Sequence, residues 1–251
     1  MRIGIYDPYL DDLGGGEEYM MTIAEHLSKG NDMTVFWDDK RDLEKLTNRF
    51  SLNLHSVKIE KNIFSTEVGL LKRLLITKNY DAIIVLTDGS IPLVSSRKLF
   101  LHIQQPLGNI KSLSPKLKFK TSRVTEIFYN STFTKSHNDK SFPKVKSIVI
   151  YPPVEIIEKK LKKENIIITV GRFRAINIKS DDFKKQQVMI DAFKKMADKG
   201  LKNWKFIVAT STNDQTDPLF LTMLESAKGY PVEFLVNKDN RELWDLYNKA
   251  K

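Results

Sequence analysis

Cysteine is absent from this sequence of 251 residues, which excludes disulfide bonds, thiolate metal sites and a cysteine nucleophile. No apolar run approaches the roughly 18 to 20 residues that a membrane-spanning helix needs. The start of the chain, residues 1–6, has one charge followed directly by a strand pattern, so we see no signal peptide. These absences are typical of a cytoplasmic protein, and we expect a cytoplasmic location that still permits association with a membrane surface.

Negative charge is in short supply, because 41 Lys and Arg residues stand against 31 Asp and Glu residues, for a net charge of +10. Residues 1–110 carry −2, residues 111–160 carry +7 and residues 161–251 carry +5. The densest part is a basic segment made of Lys111, Lys116, Lys118, Lys120 and Arg123. An anionic substrate, an anionic membrane surface, nucleic acid or plain solvation of lysines would each account for it. Nucleic acid is the least favoured, because no motif for base stacking or groove reading accompanies these residues.

Short apolar runs alternate with segments of helical period along the whole chain. Several runs, such as residues 82–86, are apolar throughout, as expected for parallel strands covered by helices on both faces. The predicted strands are 2–6, 33–37, 54–59, 82–86, 98–103, 125–129 and 147–151, and the predicted helices are 17–29, 41–49, 64–77 and 131–140. We therefore predict an α/β fold whose first domain, residues 1–160, is a complete Rossmann-like, doubly wound parallel sheet.

The strand–helix pattern begins again near residue 164. Two prolines at 152–153 end the first series, because proline does not fit inside a central strand. The predicted strands are then 165–170, 204–210 and 231–236, and the predicted helices are 183–199, 217–228 and 239–250. Residues 164–251 are thus expected to form a second, partial Rossmann-like domain. Three strands leave a sheet edge open, so the domain is cut short, naturally abbreviated or completed by a partner.

Three consecutive glycines, Gly14, Gly15 and Gly16, stand between the first predicted strand and the first predicted helix. Glycine has no Cβ, so the backbone can come close to a bulky anionic ligand. The helix that follows points N–H groups and the positive end of its dipole towards this loop. The pattern is typical of a nucleotide-binding turn, although a tight turn without a ligand has the same sequence.

Five separated segments share their order and spacing with a known family. They are residues 14–17 (GGGE), 101–106 (LHIQQP), 129–135 (YNSTFTK), 149–154 (VIYPPV) and 170–193, which contains VGRF, KKQQ and IDAF. In these segments the chain resembles glycosyltransferase family 4, and its mannosyltransferase-like members in particular. The resemblance implies a GT-B architecture of two Rossmann-like domains, with the second one truncated. It also implies a metal-independent, retaining transfer of a hexose from a nucleotide-diphospho-sugar, with GDP-mannose as the preferred donor and no further cofactor.

The resemblance assigns Arg172 and Lys184 to the departing diphosphate, with Lys185 as the alternative to Lys184. Fixed positive charge suits this position, because a nucleotide-sugar leaves a diphosphate behind. The N–H groups of residues 14–16 are expected to add donors from the first domain. In the family, a histidine at the position of His102 lies close to the transferred sugar or the acceptor. We therefore predict His102 as the catalytic-site residue, which bonds a sugar hydroxyl and does not act as a general base.

One feature of the family is missing. The family carries a Glu-x7-Glu motif late in its second domain, whereas the pair with that spacing here, Glu225 and Glu233, flanks a turn between a predicted helix and a predicted strand. Two hypotheses follow. The first is an active transferase with an unidentified acceptor, lipid-linked or anionic, and with the basic segment facing that acceptor or a membrane. The second is a non-catalytic or split transferase subunit, a binding or scaffold module that another chain completes.

Overall fold

The computed structural model describes residues 1–107, 115–154, 159–173, 184–212 and 215–251, without the side chains of Pro115, Lys116, Asn240 and Arg241. The chain divides into two compact units, Met1–Val154 (unit 1) and Glu155–Lys251 (unit 2). Each unit is built around its own sheet.

Unit 1 is a seven-stranded sheet with helices on both faces. Its elements are β1 (Arg2–Tyr6), α1 (Gly15–Ser28), β2 (Asp32–Phe36), α2 (Lys40–Phe50), β3 (Val57–Glu60), α3 (Leu70–Thr77), β4 (Ala82–Leu86), β5 (Lys98–Ile103), α4 (Pro115–Ser122), β6 (Glu126–Tyr129), α5 (Thr132–Asn138) and β7 (Lys146–Val149). The strand order is β3-β2-β1-β4-β5-β6-β7, and these pairs are parallel. The predicted complete, doubly wound parallel sheet is confirmed.

The strand order decides which face each helix covers. Crossovers between parallel strands are right-handed, so connections running from β1 towards β3 and connections running towards β7 lie on opposite faces. Helices α1 and α2 accordingly pack on the first face, with Ile3 and Val35 in its core. Helices α3 and α4 pack on the second face, with Ile83 and Leu101 in its core.

The first face is only half covered by helices. The helices on this face, α1 and α2, follow the connections from β1 to β3, whereas the connections from β4 to β7 lie on the second face, so no described helix of unit 1 is wound over β4 to β7 on this side. An apolar groove of about 820 Å³ lies there, with Phe100, Phe128 and Ile148 on its floor and Ile23 of α1 on its wall. Ile148 is accordingly 46 % exposed although it lies in a strand.

Unit 2 is a three-stranded parallel sheet in the order β10-β9-β8. Its elements are β8 (Ile166–Val170), α6 (Gln186–Asp198), β9 (Lys205–Thr210), α7 (Pro218–Ser226), β10 (Val232–Val236) and α8 (Asn240–Lys249). Aromatic side chains dominate its core, where Phe193 of α6, Phe206 of β9 and Phe220 of α7 are buried together. The predicted partial Rossmann-like domain is confirmed for the described residues.

Helix α3 begins at Leu70, so it is shorter than the predicted helix at 64–77. The guanidinium group of Arg73 donates hydrogen bonds to the backbone carbonyl groups of residues 63–65. These residues therefore wrap around Arg73 as a loop and do not continue the helix.

Helix α4 lies in the basic segment and was not predicted from the sequence. Its lysines leave only a weak apolar stripe, although Pro115 stands in the first turn, where proline is favoured. Lys111 and the side chain of Lys116 lie outside the described residues, whereas Lys118 and Arg123 are exposed. Across the described parts of the chain, every helix is too short or too polar to cross a bilayer.

Candidate functional site

The carboxyl ends of the unit 1 strands meet at one edge of the sheet, which is where open α/β sheets bind ligands. The polar residues that follow strands at this edge are Asp7 after β1, Asp88 after β4, Gln104 after β5 and Asn130 after β6. The Tyr9 hydroxyl donates to Asp88 at 3.0 Å, and the Asn130 amide donates to the carbonyl of Gln104 at 2.9 Å. Neighbouring strand ends are therefore held together by side chains.

Helix α1 begins inside the glycine loop, with Gly14 as its N-cap residue. The N–H of Gly14 donates to the Glu17 carboxylate at 2.5 Å, so it is engaged within the chain, and a bond from Gly14 to a ligand stays a prediction. A Cβ on Gly16 would lie 2.6 Å from Oε1 of Gln104, whose Nε2 donates to the Gly16 carbonyl at 3.2 Å. Gly15 has open space around it. Gly15 and Gly16 stand in the first helical turn, where N–H groups have no intrahelical acceptor, so binding of a ligand by these two stays a prediction.

A cavity of about 380 Å³ lies beside this loop. Its lining residues are Gly15, Gly16, Glu18, Tyr19, Thr22, Gln104, Asn130, Pro152, Pro153 and Val154. The Tyr19 hydroxyl donates to the carbonyl of Ile150 at 2.7 Å, which fixes one wall, and burial raises the pKa of Glu18. Two amides, two hydroxyls and a carboxyl thus offer donors and acceptors in a space large enough for a small polar molecule such as a sugar.

His102 lies near the end of β5, as predicted, but its side chain is fully buried. Its Nδ1 is 3.0 Å from the carbonyl oxygen of Phe128, so Nδ1 holds the proton and donates it. The ring stacks on Phe128 with centroids 4.3 Å apart and meets Tyr19 edge-on at 4.7 Å. Burial lowers the pKa of His102 to about 4, so the ring is neutral at pH 7. The imidazole contacts Tyr19, which lines the cavity, but does not line the cavity itself, and the catalytic-site role stays a prediction.

A buried carboxyl at the same edge was missed from the sequence, although an aspartate directly after an apolar strand was the signal available. Asp7 is 1 % exposed, its Oδ1 accepts from the N–H of Tyr9 at 2.9 Å, and its Oδ2 has no hydrogen-bond partner among the described residues. Burial, and then the nearby carboxylates of Glu17, Asp12 and Asp11, raise the pKa of Asp7 to about 7. The surroundings of the glycine loop are therefore acidic, which disfavours a diphosphate there.

In unit 2, one predicted diphosphate residue follows β8 and another packs against its chain neighbour. Arg172 follows β8 and is half-buried, and the N–H of Gly171 donates to a carbonyl of β9. Cγ of Lys184 lies 3.4 Å from the position that a Cβ of Gly171 would take, so Lys184 packs against the neighbour of Arg172. Lys185 is the exposed N-cap residue of α6. This part of unit 2 therefore carries three basic side chains. Among the described residues of the chain, no group of His, Asp and Glu could hold a metal ion.

A buried glutamine supports this arrangement and was given no role from the sequence. Gln186 is fully buried, and its Nε2 donates to the carbonyl of Gly171 at 2.9 Å. The bond ties the start of α6 to the end of β8.

Several solved structures resemble the chain. The UDP-GlcNAc 2-epimerase from Neisseria meningitidis, bound to UDP-GlcNAc, matches with a TM-score of 0.55 at 11 % identity, over 100 % of this chain and 76 % of that protein. The complex of S. aureus MnaA with UDP matches with a TM-score of 0.50 at 13 % identity, over 98 % of this chain and 71 % of that protein. No protein-family model matches the sequence, and neither does any curated protein sequence. At these identities the likeness shows the fold alone, which is GT-B-like.

Proposed function

We propose that the chain is an enzyme that acts on a nucleotide-sugar, and specifically a retaining hexosyltransferase. The observation that carries the proposal is the GT-B-like fold, in which Lys184 packs against Gly171, the chain neighbour of Arg172, at the carboxyl end of β8. Two proteins of similar fold hold UDP-GlcNAc or UDP in their structures, which supports a nucleotide-sugar as the ligand.

Unit 2 is assigned to the donor. A diphosphate carries its charge on oxygen atoms that accept strong hydrogen bonds from guanidinium and ammonium groups. Arg172 and Lys184 supply such groups, with Lys185 as the alternative to Lys184, and the Gln186 bond to Gly171 ties the start of α6 to the end of β8. The acidic surroundings of Asp7 favour this unit over the glycine loop as the diphosphate site.

Unit 1 is assigned to the acceptor, in the cavity of about 380 Å³ beside the glycine loop. In the proposed reaction, the bond between the anomeric carbon and the diphosphate oxygen breaks. The acceptor hydroxyl oxygen forms the new bond to that carbon, and its proton passes to the leaving diphosphate. The positive side chains stabilise the negative charge that develops on the leaving oxygen.

Isothermal titration of the 251-residue chain with GDP, UDP and their mannose and glucose conjugates tests the donor site. Arg172→Ala and Lys184→Ala should each weaken the binding by about 10- to 100-fold, because a hydrogen bond to a charged group contributes about 1.5–3 kcal/mol. Lys195→Ala, on the exposed side of α6, is the matched control and should leave the affinity unchanged. Failure of all ligands to bind, or equal affinity in the two variants and the wild type, would contradict the proposal. Lys185→Ala shows whether Lys184 or Lys185 binds the diphosphate, because only the variant of the binding lysine should weaken the affinity.

A second candidate, epimerisation of a nucleotide-sugar, is favoured by the named activity of the Neisseria meningitidis protein. Proton NMR of a bound donor during incubation separates the two. Transfer or hydrolysis releases a nucleoside diphosphate, whereas epimerisation produces a new sugar nucleotide without that release. A chain that binds donors but changes none of them would be the non-catalytic or split subunit.

A further inference from the structure

Helix α3 exposes large apolar side chains to solvent. Leu71 is 72 % exposed, Leu75 is 61 % exposed and Leu70 is 48 % exposed. Positions 71 and 75 are four residues apart, so they lie on one side of the helix. Ile76, in contrast, is partly buried and packs against the core of the second face. A cluster of this kind on a water-facing helix marks an interaction surface.

Exposed lysines accompany this cluster, and the nearest exposed carboxylate in the sequence is Glu67, which precedes the helix. Lys72 and Lys78 are exposed on α3 and at its end, and α3 has no Asp or Glu. Helix α4, which packs on the same face through Leu117, also has no Asp or Glu and exposes Lys118. Phe119 beside that lysine is 60 % exposed.

Helix α1 on the opposite face carries Glu17, Glu18 and Glu25 and has no Lys or Arg, whereas α2 on that face carries four basic and two acidic residues. The α3 and α4 side differs because neither of these helices has a carboxylate, while both expose apolar and basic side chains. We use the name α3–α4 surface for Leu70, Leu71, Lys72, Leu75, Lys78, Lys118 and Phe119.

We propose that the α3–α4 surface binds the interface of an anionic lipid bilayer. Its leucines and Phe119 enter the boundary between headgroups and acyl chains, and its lysines lie against lipid phosphates. Charge complementarity selects this occupant over a second copy of the chain. Two such surfaces face to face would set lysines against lysines, with no carboxylate on either helix to pair with them.

This proposal does not depend on the nucleotide-sugar site, because no residue of the α3–α4 surface is a candidate donor residue or lines the cavity beside the glycine loop. It gives a partner to the basic segment, of which Lys118 is the exposed, described lysine. The two proposals therefore fail separately, and titration with nucleotides distinguishes them.

Co-sedimentation of the full chain with vesicles tests the proposal, using phosphatidylcholine alone and phosphatidylcholine mixed with phosphatidylglycerol. Binding is expected only to the mixed vesicles. The double variant Lys72→Gln with Lys78→Gln should lose about 25-fold in partitioning, since each lysine near an anionic surface contributes about fivefold. The double variant Leu71→Gln with Leu75→Gln should lose at least about tenfold, because it removes the apolar side chains that enter the bilayer. Added salt should weaken the lysine contribution and spare the leucine contribution.

Matched controls stand on other surfaces. Lys29→Gln with Lys40→Gln changes two exposed lysines at the end of α1 and the start of α2. Leu219→Gln with Leu221→Gln changes leucines of α7 that are 45 % and 49 % exposed. All four double variants should keep the wild-type unfolding temperature, because the substituted side chains are exposed.

Three results would overturn the proposal. The first is no binding of the wild type to mixed vesicles. The second is an equal loss in the control variants, which would reduce the effect to net charge. The third is a concentration-dependent dimer in light scattering that Leu71→Gln with Leu75→Gln abolishes while vesicle binding persists, which would make the surface an interface between copies.

Discussion

At the scale of single residues, Asp7 and His102 are buried titratable groups at the ligand edge of unit 1, and they change the pH dependence of stability in opposite directions. Burial is the largest cause of both shifts, and it favours the neutral form of each group. For Asp7 this raises the pKa to about 7, and for His102 it lowers the pKa to about 4. Their contributions to the pH dependence of stability therefore nearly cancel between about pH 4 and pH 7, and single substitutions should reveal each one.

Asp7→Asn should make the protein more stable at neutral and mildly alkaline pH. An unfolded aspartate has a pKa of about 3.9, so stability is lost as the pH rises from about 4 to about 7, by roughly 3–4 kcal/mol at most. Asparagine keeps the oxygen that accepts from Tyr9 and cannot ionise. Urea unfolding should show a gain of roughly 2–4 kcal/mol at pH 8 and little gain at pH 4. Asp11→Asn, an exposed control, should leave most of the wild-type profile in place.

His102→Asn should change the acid side of the profile. The folded pKa of His102 lies below the unfolded value of about 6.5, so the wild-type protein loses stability as the pH falls from 6.5 towards 4. The variant should not show this loss of stability at acid pH. Its stability should be lower overall by about 1–3 kcal/mol, because the stacking on Phe128 is lost. His26→Asn, in an exposed position, is the control. An unchanged acid profile in the His102 variant would contradict the assigned cause.

At the scale of elements, the first turn of α1 shows how two adjacent glycines differ. Gly15→Ala meets open space inside a helix, so it should be neutral or stabilising by up to about 1 kcal/mol. Gly16→Ala would displace the amide of Gln104 and break its bond to the Gly16 carbonyl, which should cost about 1 kcal/mol relative to Gly15→Ala. Chemical unfolding of the two variants side by side measures this difference. Equal stability would mean that Gln104 does not hold the loop.

The elements that the sequence could predict are those encoded by local pattern. Strands β1, β4 and β5 have the predicted bounds, because each is a short apolar run between polar residues. The start of α3 could not be predicted, since Arg73 recruits the carbonyl groups of residues 63–65 through contacts in three dimensions. Helix α4 has too weak an apolar stripe to be seen in the sequence.

For the candidate site, the sequence could predict only which residues stand at strand ends. The strand pattern predicts that His102 lies near the end of β5 and that Arg172 follows β8. The burial of His102 depends on how Tyr19 and Phe128 close around it, and these residues are far apart in the sequence. Likewise, the raised pKa of Asp7 comes from packing that brings other carboxylates near it, which local pattern does not encode.

At the scale of the whole molecule, the strand order of unit 1 leaves the apolar groove over β4 to β7. The native protein should therefore enhance the fluorescence of an apolar dye such as anilinonaphthalene sulfonate. Ile148→Ser with Ile150→Ser should reduce the enhancement severalfold at little cost in stability, because these side chains are 46 % and 45 % exposed. Val188→Ser, on exposed α6, is the control, and an equal reduction in that variant would place the dye elsewhere.

The same strand order sets the sequence of events during synthesis on the ribosome. Strand β1 is central in its sheet, and it pairs on one side with β2 and on the other with β4. Its second edge finds no partner until residues 82–86 have emerged, so most of the first half of unit 1 is made while an apolar strand edge stays open to other nascent chains. Unit 2 adds β9 beside β8 and β10 beside β9, each as it is made. The demand for chaperone protection therefore falls mainly on the first eighty or so residues to be translated.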